Sequence, residues 1–459
     1  MSHLVTVEIC DSGASLGVRL LTGHGLHDPD QMLRFASMPA QMLPLSMSLS
    51  TLGDAAGHGR ALLDALNAHG PIALELAGLF SQYEIATTLT FYMTTSTAAL
   101  YRWEALYNPV SDRFLSAQNN CSMFRIASGR SPVLSESREF SGTITFSAYL
   151  SASGIDAFDE CKALIEAVKT VRQSGLNIRT YLYVGEQQLL DTAASLLDGT
   201  QAIELRPIPA NALAFEASLK ADRAQILHFL AHGDIREGEA FLEFASISDH
   251  DKNADRGLDR VTNIVPGSIR LSLDRLEQSL AATGTTWFTL LNCCSGAASV
   301  SKLSSMAATL AKSVSPITIG MADPIDYQDA TLFAKSFYKH ALETIHQATA
   351  SLAHGQSIII DLSAAVKAAR GVLYETARAN SDLPNGFARW CLPIVYLRDI
   401  PLKITQIDEK TKTRIDAIAK VLQGFSSETP PQLRSDILGL LANEPSIPAW
   451  LWPDLNGNL

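Results

Sequence analysis

The stretch Trp287–Ala298 reads WFTLLNCCSGAA, and an earlier run, Ile226–Ile235, reads ILHFLAHGDI. Each begins as a short apolar segment rich in β-branched or aromatic residues, which is typical of a buried strand. The earlier strand is expected to stop before His232 and the later one before Asn292. In an open α/β sheet, reactive side chains collect at the carboxyl ends of the strands. The two stretches therefore predict a thiol nucleophile and an imidazole base that meet at one edge of a sheet.

Two adjacent cysteines and two histidines leave a choice of residues. Successive side chains of a strand point to opposite faces, so we assign Cys293 to the packed side and Cys294 to the site. His228 shares a face with His232, but the glycine after His232 favours the second histidine, because a residue without Cβ permits a turn and lets its N–H approach a ligand. The N–H groups of Gly233 and Cys294 would then form an oxyanion hole.

Other interpretations of the same residues stay open. A buried cysteine usually acts as a small apolar side chain, and a lone histidine is often only a hydrogen-bonded core residue. Cys293 and Cys294 could form a vicinal disulfide. Both cysteines could also join His228 and His232 in a zinc site, although they lack the spacing of metal knuckles.

The two motifs together, HFLAHG at His228–Gly233 and LLNCCSGA at Leu290–Ala297, resemble the paired signature of the CHAT proteases. These are caspase-like cysteine peptidases related to caspases and separases. The resemblance implies that His232 is the base and Cys294 the nucleophile. An upstream match, Trp103–Tyr107 followed by Phe124-Arg125, extends the resemblance to about residues 100–400.

The resemblance also implies a fold and a biological context. The fold would be a caspase-like three-layer α/β sandwich with a mostly parallel sheet and an N-terminal lobe that is a degenerate copy of the catalytic one. The activity would be that of a regulated cysteine endopeptidase in bacterial anti-phage defence or programmed cell death. Its substrate would be one protein partner, such as a gasdermin-like pore-former, under a possible upstream activator protein. No metal or organic cofactor is expected.

Substrate selection points to a loop after the strand that follows the cysteines. In the family this loop borders the pocket for the residue before the cut bond, and here it carries Asp323 and Asp326. The two carboxylates could hold a basic side chain, whereas a helix N-cap is the alternative for Asp326. Two rival functions remain: a catalytically silent caspase-like scaffold for protein–protein interaction, and a cysteine hydrolase that acts on a small amide.

Chain length, net charge and cysteine spacing favour some classes of protein over others. A chain of 459 residues is long for one domain, and its net charge of −11 argues against direct nucleic-acid binding. The six cysteines are scattered without paired spacing, which favours a reducing compartment. No long apolar run or signal sequence is evident, so we expect a cytoplasmic protein without membrane contact.

The chain divides into three predicted units. We expect an N-terminal α/β lobe over residues 1–135, the catalytic domain over 136–402, where strands alternate with helices, and a helical extension over 403–459. A charged stretch, 248–263, predicts a mobile surface loop, and our hypothesis is that it is an activation or substrate-gating loop. The extension is expected to hold helices at 406–423 and 432–442 and to dock its tail, with Trp450 and Trp452, onto the sheet.

Overall fold

The structure is a computed structural model that contains side chains. It describes residues 3–12, 15–25, 27–38, 51–81, 85–94, 96–99, 101–118, 120–127, 137–197, 201–255, 265–295, 300–322, 325–380, 389–408, 410–414, 417 and 430–442.

Strands and helices alternate through most of this part of the chain. The strands are β1 (His3–Ser12), β2 (Ser15–Thr22), β3 (Ala36–Met38), β4 (Thr87–Met93), β5 (Tyr107–Asn108), β6 (Arg113–Phe114), β7 (Cys121–Ala127), β8 (Ser137–Phe140), β9 (Ile144–Leu150), β10 (Ile178–Val184), β11 (Ile203–Pro207), β12 (Ile226–Arg236), β13 (Glu239–Phe244), β14 (Ile269–Ser272), β15 (Phe288–Ser295), β16 (Ile317–Met321), β17 (Ser357–Ile359), β18 (Pro393–Arg398) and β19 (Lys403–Gln406).

The helices pack against these strands. They are α1 (Pro29–Leu33), α2 (Leu52–Leu66), α3 (Gly70–Ser81), α4 (Ser96–Ala99), α5 (Leu115–Gln118), α6 (Phe158–Gln173), α7 (Gln187–Leu196), α8 (Ala212–Asp222), α9 (Ile247–Asp255), α10 (Leu273–Ala281), α11 (Val300–Ser313), α12 (Tyr327–Thr349), α13 (Ser363–Ala379) and α14 (Pro431–Ala442), with short 3-10 helices at Trp103–Ala105 and Arg389–Cys391.

One sheet runs through both halves of the chain. Its order is β11-β10-β9-β12-β15-β16-β18-β7-β4-β1-β2-β3, and beyond the end of β9 the hairpin strand β13 pairs with the last residues of β12 and with β14. The six strands from β11 to β16 are mutually parallel. β18 is antiparallel to β16 but parallel to β7, so the two halves run in opposite directions on either side of it. The prediction of a mixed α/β fold with a mostly parallel sheet is confirmed.

The sheet is covered on both faces, which explains why its central strands are apolar throughout. Along β12, Ile226 and Leu230 pack into a core with α6, α12 and α13, whereas Phe229 and Ala231 pack into a second core with α8, α10 and α11. Around β12 the core therefore lies in two layers that the sheet separates, and alternate residues of the strand belong to opposite layers. A third cluster packs on β1, β2 and β4.

The charged stretch contains a helix where a loop was predicted. α9 begins in a capping box, because the carboxylate of Asp249 accepts from the backbone N–H of Ser246 while the hydroxyl of Ser246 accepts from the N–H of Asp249. Ser268 donates to the same carboxylate through both its N–H and its hydroxyl. The loop prediction is thus wrong for residues 248–255, and residues 256–263 lie outside the described part.

Other predictions met mixed outcomes. The helix expected at 432–442 is confirmed as α14, and the upstream motif begins in the 3-10 turn Trp103–Ala105. Trp450, Trp452 and half of the residues 406–423 lie outside the described residues. In the part of the chain that is described, no helix combines the length and apolarity needed to cross a membrane.

Candidate active site

The register of β12 and β15 brings the two predicted residues together. The strands are parallel neighbours, and the paired Cα atoms run from Ile226 with Phe288 to Gly233 with Ser295. Within this ladder His232 lies directly opposite Cys294. Neighbouring strands are about 4.8 Å apart, and paired residues share a face of the sheet. The backbone therefore holds the candidate base and nucleophile as nearest neighbours.

Both strands extend further than predicted. β12 continues through His232 to Arg236 and turns into β13 at Glu237 and Gly238, which both have positive φ, as a two-residue hairpin requires. β15 continues through Asn292 to Ser295. The parallel partners stop earlier, because pairing with β9 ends at Leu230 and pairing with β16 ends at Leu291. His232 and Cys294 consequently lie beyond the carboxyl ends of the flanking strands.

Cys293 lies on the other face of the sheet. It is 4% exposed, and burial raises the pKa of its thiol to about 12. A thiol with that pKa has almost no thiolate at neutral pH and cannot serve as the nucleophile. Cys293 is also a free thiol, and its face is opposite to that of His232. The thiol of Cys293 is thus not in a disulfide, and the four-residue zinc site would need ligands from both faces of the sheet.

A backbone carbonyl holds the imidazole of His232. Its Nε2 lies 2.7 Å from the carbonyl oxygen of Ser153, in the turn that follows β9. A carbonyl oxygen can only accept, so Nε2 carries the proton and Nδ1 carries the lone pair of the neutral ring. A charged neighbour, Glu243, stands opposite His232 in the β12–β13 ladder and forms an ion pair with Arg270. The ring is thus fixed in the tautomer in which Nδ1 can take a proton.

The contacts of His228 indicate a structural role instead. It is fully buried, its Nδ1 is 3.1 Å from the hydroxyl of Tyr338, and its Nε2 is 2.7 Å from a carboxylate oxygen of Glu160. That second contact is a close approach rather than an aligned hydrogen bond. The amide of Asn292 donates to the same Glu160 at 2.6 Å. This buried polar cluster lies below the dyad and ties β12 and β15 to α6 and α12.

The proposed substrate loop is only partly described. Asp326 is exposed and is the N-cap of α12, because its side chain accepts from the N–H of Gln328 at 2.8 Å. The N-cap that the sequence offered as an alternative is therefore present. Asp323 lies outside the described residues.

The upstream motif is a buried ion pair. Glu104 and Arg125, 1% and 0% exposed, are 2.6 Å apart, and Arg125 also donates to the carbonyls of Ala99 and Tyr101. Trp103 is buried beside them and stacks on Phe91. These residues therefore stabilise β7 and lie away from the candidate active site.

Sequence reasoning missed Ser153, because every residue has a carbonyl and no side-chain pattern marks this one. The glycine that follows, Gly154, is the available signal, since its φ of 74° is one that other residues rarely adopt.

The model of the CHAT domain family matches residues 57–382 of the chain. The match includes β4, β7, the strands from β9 to β16 and the upstream motif, whereas β1 to β3 and β18 lie outside it. No curated protein matches the chain. Because the match spans well over half of the residues, the chain belongs to the CHAT domain family, whose fold is caspase-like and whose members are typically protease-related.

Proposed function

We propose that the protein is a cysteine endopeptidase that cuts a protein partner by acyl transfer. Cys294 is the nucleophile and His232 the general base. The single observation that carries the proposal is the pairing of these residues across adjacent parallel strands, with the ring of His232 held by the carbonyl of Ser153.

The proposed reaction has two stages. Nδ1 of His232 takes the proton from Cys294, and the thiolate adds to the carbonyl carbon of the scissile peptide bond. The imidazolium then gives that proton to the leaving amine as the C–N bond breaks, which leaves a thioester on Cys294. Water, deprotonated by His232, adds to the thioester, and the acid product departs with restoration of the thiol.

Other groups have supporting roles in this proposal. The N–H groups of Gly233 and Cys294 stabilise the oxyanion of each tetrahedral intermediate. Asp323 and Asp326 bind a basic residue before the cut bond, with Asp326 acting from the exposed start of α12. Neither step needs a metal or an organic cofactor.

The biological role that we propose follows from the family resemblance alone. The protein acts in the bacterial cytoplasm as a regulated protease in anti-phage defence or programmed cell death. Its partners are a protein substrate, such as a gasdermin-like pore-former or another defence effector, and an upstream activator protein. We propose no direct contact with nucleic acid or membrane.

Thiol labelling tests the nucleophile. We expect iodoacetamide to modify one cysteine of the folded protein rapidly at neutral pH and to identify it as Cys294 by peptide mass spectrometry. Four other thiols are poor competitors, because burial raises the pKa of Cys121, Cys161 and Cys293 to about 12 and Cys391 is fully buried. Cys10 is half-buried, and burial also raises the pKa of its thiol. Cys294→Ala should abolish the rapid phase, and Cys293→Ala is the matched control that should keep it.

A peptide library distinguishes the activities. Cleavage that depends on Cys294 would support the endopeptidase, and hydrolysis of small amides alone would support the rival hydrolase. If Cys294 labels no faster than the buried thiols, and no partner is cut on co-expression, the silent scaffold replaces the enzyme.

A further inference from the structure

Ser153 has a second set of contacts besides its carbonyl. Its side-chain hydroxyl donates to the carbonyl of Val265 at 2.5 Å and accepts from Nδ2 of Asn253 at 2.9 Å. The Oδ1 of Asn253 in turn accepts from the N–H of Val265 at 2.8 Å. The three residues thus close a ring of hydrogen bonds, the Ser153 triangle, in which each residue donates once and accepts once.

The triangle joins three separate segments. Ser153 follows β9, Asn253 belongs to α9, and Val265 precedes β14. Asp249 secures the same region, because its carboxylate binds Ser246 and Ser268 on either side. Ser153 is 1% exposed, so water competes poorly for these bonds. The position of Ser153 is consequently determined by α9 and by the segment that precedes β14.

The backbone turn at Ser153 aims its carbonyl. The N–H of Ile155 donates to the carbonyl of Ala152 at 3.2 Å, which makes Ser153 and Gly154 the central residues of a β-turn. A positive φ at the third residue, here 74° at Gly154, marks a type II turn. In that turn the central peptide is rotated relative to type I, so the carbonyl of Ser153 faces His232 rather than the opposite side.

We propose that the Ser153 triangle positions the catalytic base: Asn253 and Val265 fix the hydroxyl of Ser153, and the carbonyl of the same residue fixes the tautomer and orientation of His232. The inference rests on the proposed function. Ser153, Asn253 and Val265 are positioning residues that act through His232 and do not touch the substrate. Loss of the hydroxyl leaves the carbonyl in the chain but frees the turn to reorient.

The test measures the rate of Cys294 alkylation by iodoacetamide against pH in the full-length protein. A well-oriented imidazolium stabilises the thiolate, so its misplacement should raise the pH at which Cys294 becomes reactive. We expect Ser153→Ala to shift this profile to higher pH and to lower the rate at pH 7 by about tenfold. Asn253→Asp, which keeps the acceptor for Val265 but removes the donor to Ser153, should shift it in the same direction.

A matched control separates positioning from general damage. Ser151→Ala removes another buried hydroxyl of the same segment, one that donates to the carbonyl of Ala245 and lies 3.0 Å from Nε2 of His250. It should keep the wild-type profile. Neither it nor the test variants change Glu243 or Arg270, the charged pair beside His232. Thermal unfolding of each variant identifies any that fail to fold, and Asn253→Asp carries the test if Ser153→Ala is one of them.

A double-mutant cycle decides the outcome. If Ser153 acts through His232, Ser153→Ala should have no further effect on the profile in a His232→Ala background. Additive effects of the two substitutions, an unchanged profile in the folded single variants, or an equal shift in Ser151→Ala would overturn the inference. If wild-type Cys294 shows no selective reactivity at all, it is the proposed function that fails, and the two failures are distinguishable.

Discussion

At the scale of single residues, position on a strand decides chemistry that composition leaves undecided. Cys293 and Cys294 are identical side chains on adjacent residues, yet the alternation of β15 assigns them to opposite faces. Cys293 packs with Leu291 in one core layer, whereas Cys294 is the residue of β15 whose backbone pairs with His232. Position along β12, rather than the face of the sheet, distinguishes the two histidines: His228 is buried against Glu160, and His232 lies beyond the end of the pairing with β9.

Asp249 provides a prediction at this scale. Burial opposes its ionisation, but hydrogen bonds from Ser268 and Ser246 outweigh it and lower the pKa of Asp249 to about 2. A carboxyl with a lowered folded pKa stabilises the fold above its ordinary value of 3.8 and loses that contribution as the pH falls towards 2. We expect Asp249→Asn to lower the free energy of unfolding by on the order of 1 kcal/mol at pH 7.

Urea unfolding of both proteins between pH 7 and pH 2 measures this effect. The difference between wild type and Asp249→Asn should stay constant down to about pH 5 and then shrink. Asp251→Asn, an exposed change on the same helix, is the control and should leave stability nearly unaltered. A difference that does not depend on pH would refute the assignment.

At the scale of elements, close backbone approaches fix how helices meet their neighbours. α2 packs on the 3-10 turn Trp103–Ala105 of the upstream motif, and it does so through Gly59. A Cβ added there would lie only 1.8 Å from the carbonyl oxygen of Ala105, whereas a Cβ added at Gly57 on the same helix would meet nothing within 4 Å. A close backbone contact therefore requires glycine at position 59, whereas position 57 of the same helix has room for a larger side chain.

These glycines should respond to alanine with opposite signs. Gly57→Ala should raise the free energy of unfolding by about 1 kcal/mol, because alanine is the better helix former. Gly59→Ala should lower it by about 2 kcal/mol, since the clash with a backbone carbonyl outweighs the gain in helix propensity. Chemical denaturation measures both. Stabilisation by Gly59→Ala would mean that α2 does not approach Ala105 so closely.

At the scale of the whole molecule, the continuous sheet joins the N-terminal strands to those that bear the dyad. β18 completes the join by pairing with β16 on one side and β7 on the other. Arg370 of α13 is fully buried behind this seam and donates to the carbonyl of Met123 in β7 and to that of Pro393 in β18. One side chain thus satisfies acceptors from both halves. The boundary predicted at residue 135 falls between elements of this one sheet and stays a prediction.

Arg370→Ala should therefore destabilise the protein strongly. It leaves two buried carbonyls without their donor and a cavity at the seam, which together should lower the free energy of unfolding by about 3–5 kcal/mol. Arg378→Ala is the matched control on the same helix, because its side chain is 65% exposed and its ion pair with Glu375 spans 3.9 Å. Thermal unfolding with hydrogen exchange in β7 and β18 measures the effect. Equal stability of the two variants would contradict the inference that Arg370 holds β7 and β18 together.

Much of this fold could be predicted from local patterns. The apolar strands, the helices between them and the mostly parallel sheet follow from periodicity, because burial on one or both faces places apolar residues at regular intervals in the sequence. α9 was missed although Ser246 and Asp249 have capping-box spacing. Its charged composition predicted a loop, and two of the four hydrogen bonds to the carboxylate of Asp249 come from Ser268, a residue distant in the chain.

By itself the sequence indicated the residue types of the proposed dyad and, through strand alternation, that only one of the two adjacent cysteines could share a face with the histidine. Only the tertiary structure decided that His232 rather than His228 lies opposite Cys294, because register depends on how two distant strands pair. It alone also supplied the carbonyl of Ser153. A backbone acceptor is common to all residues, so its function comes from position and leaves no trace in the identity of the side chain.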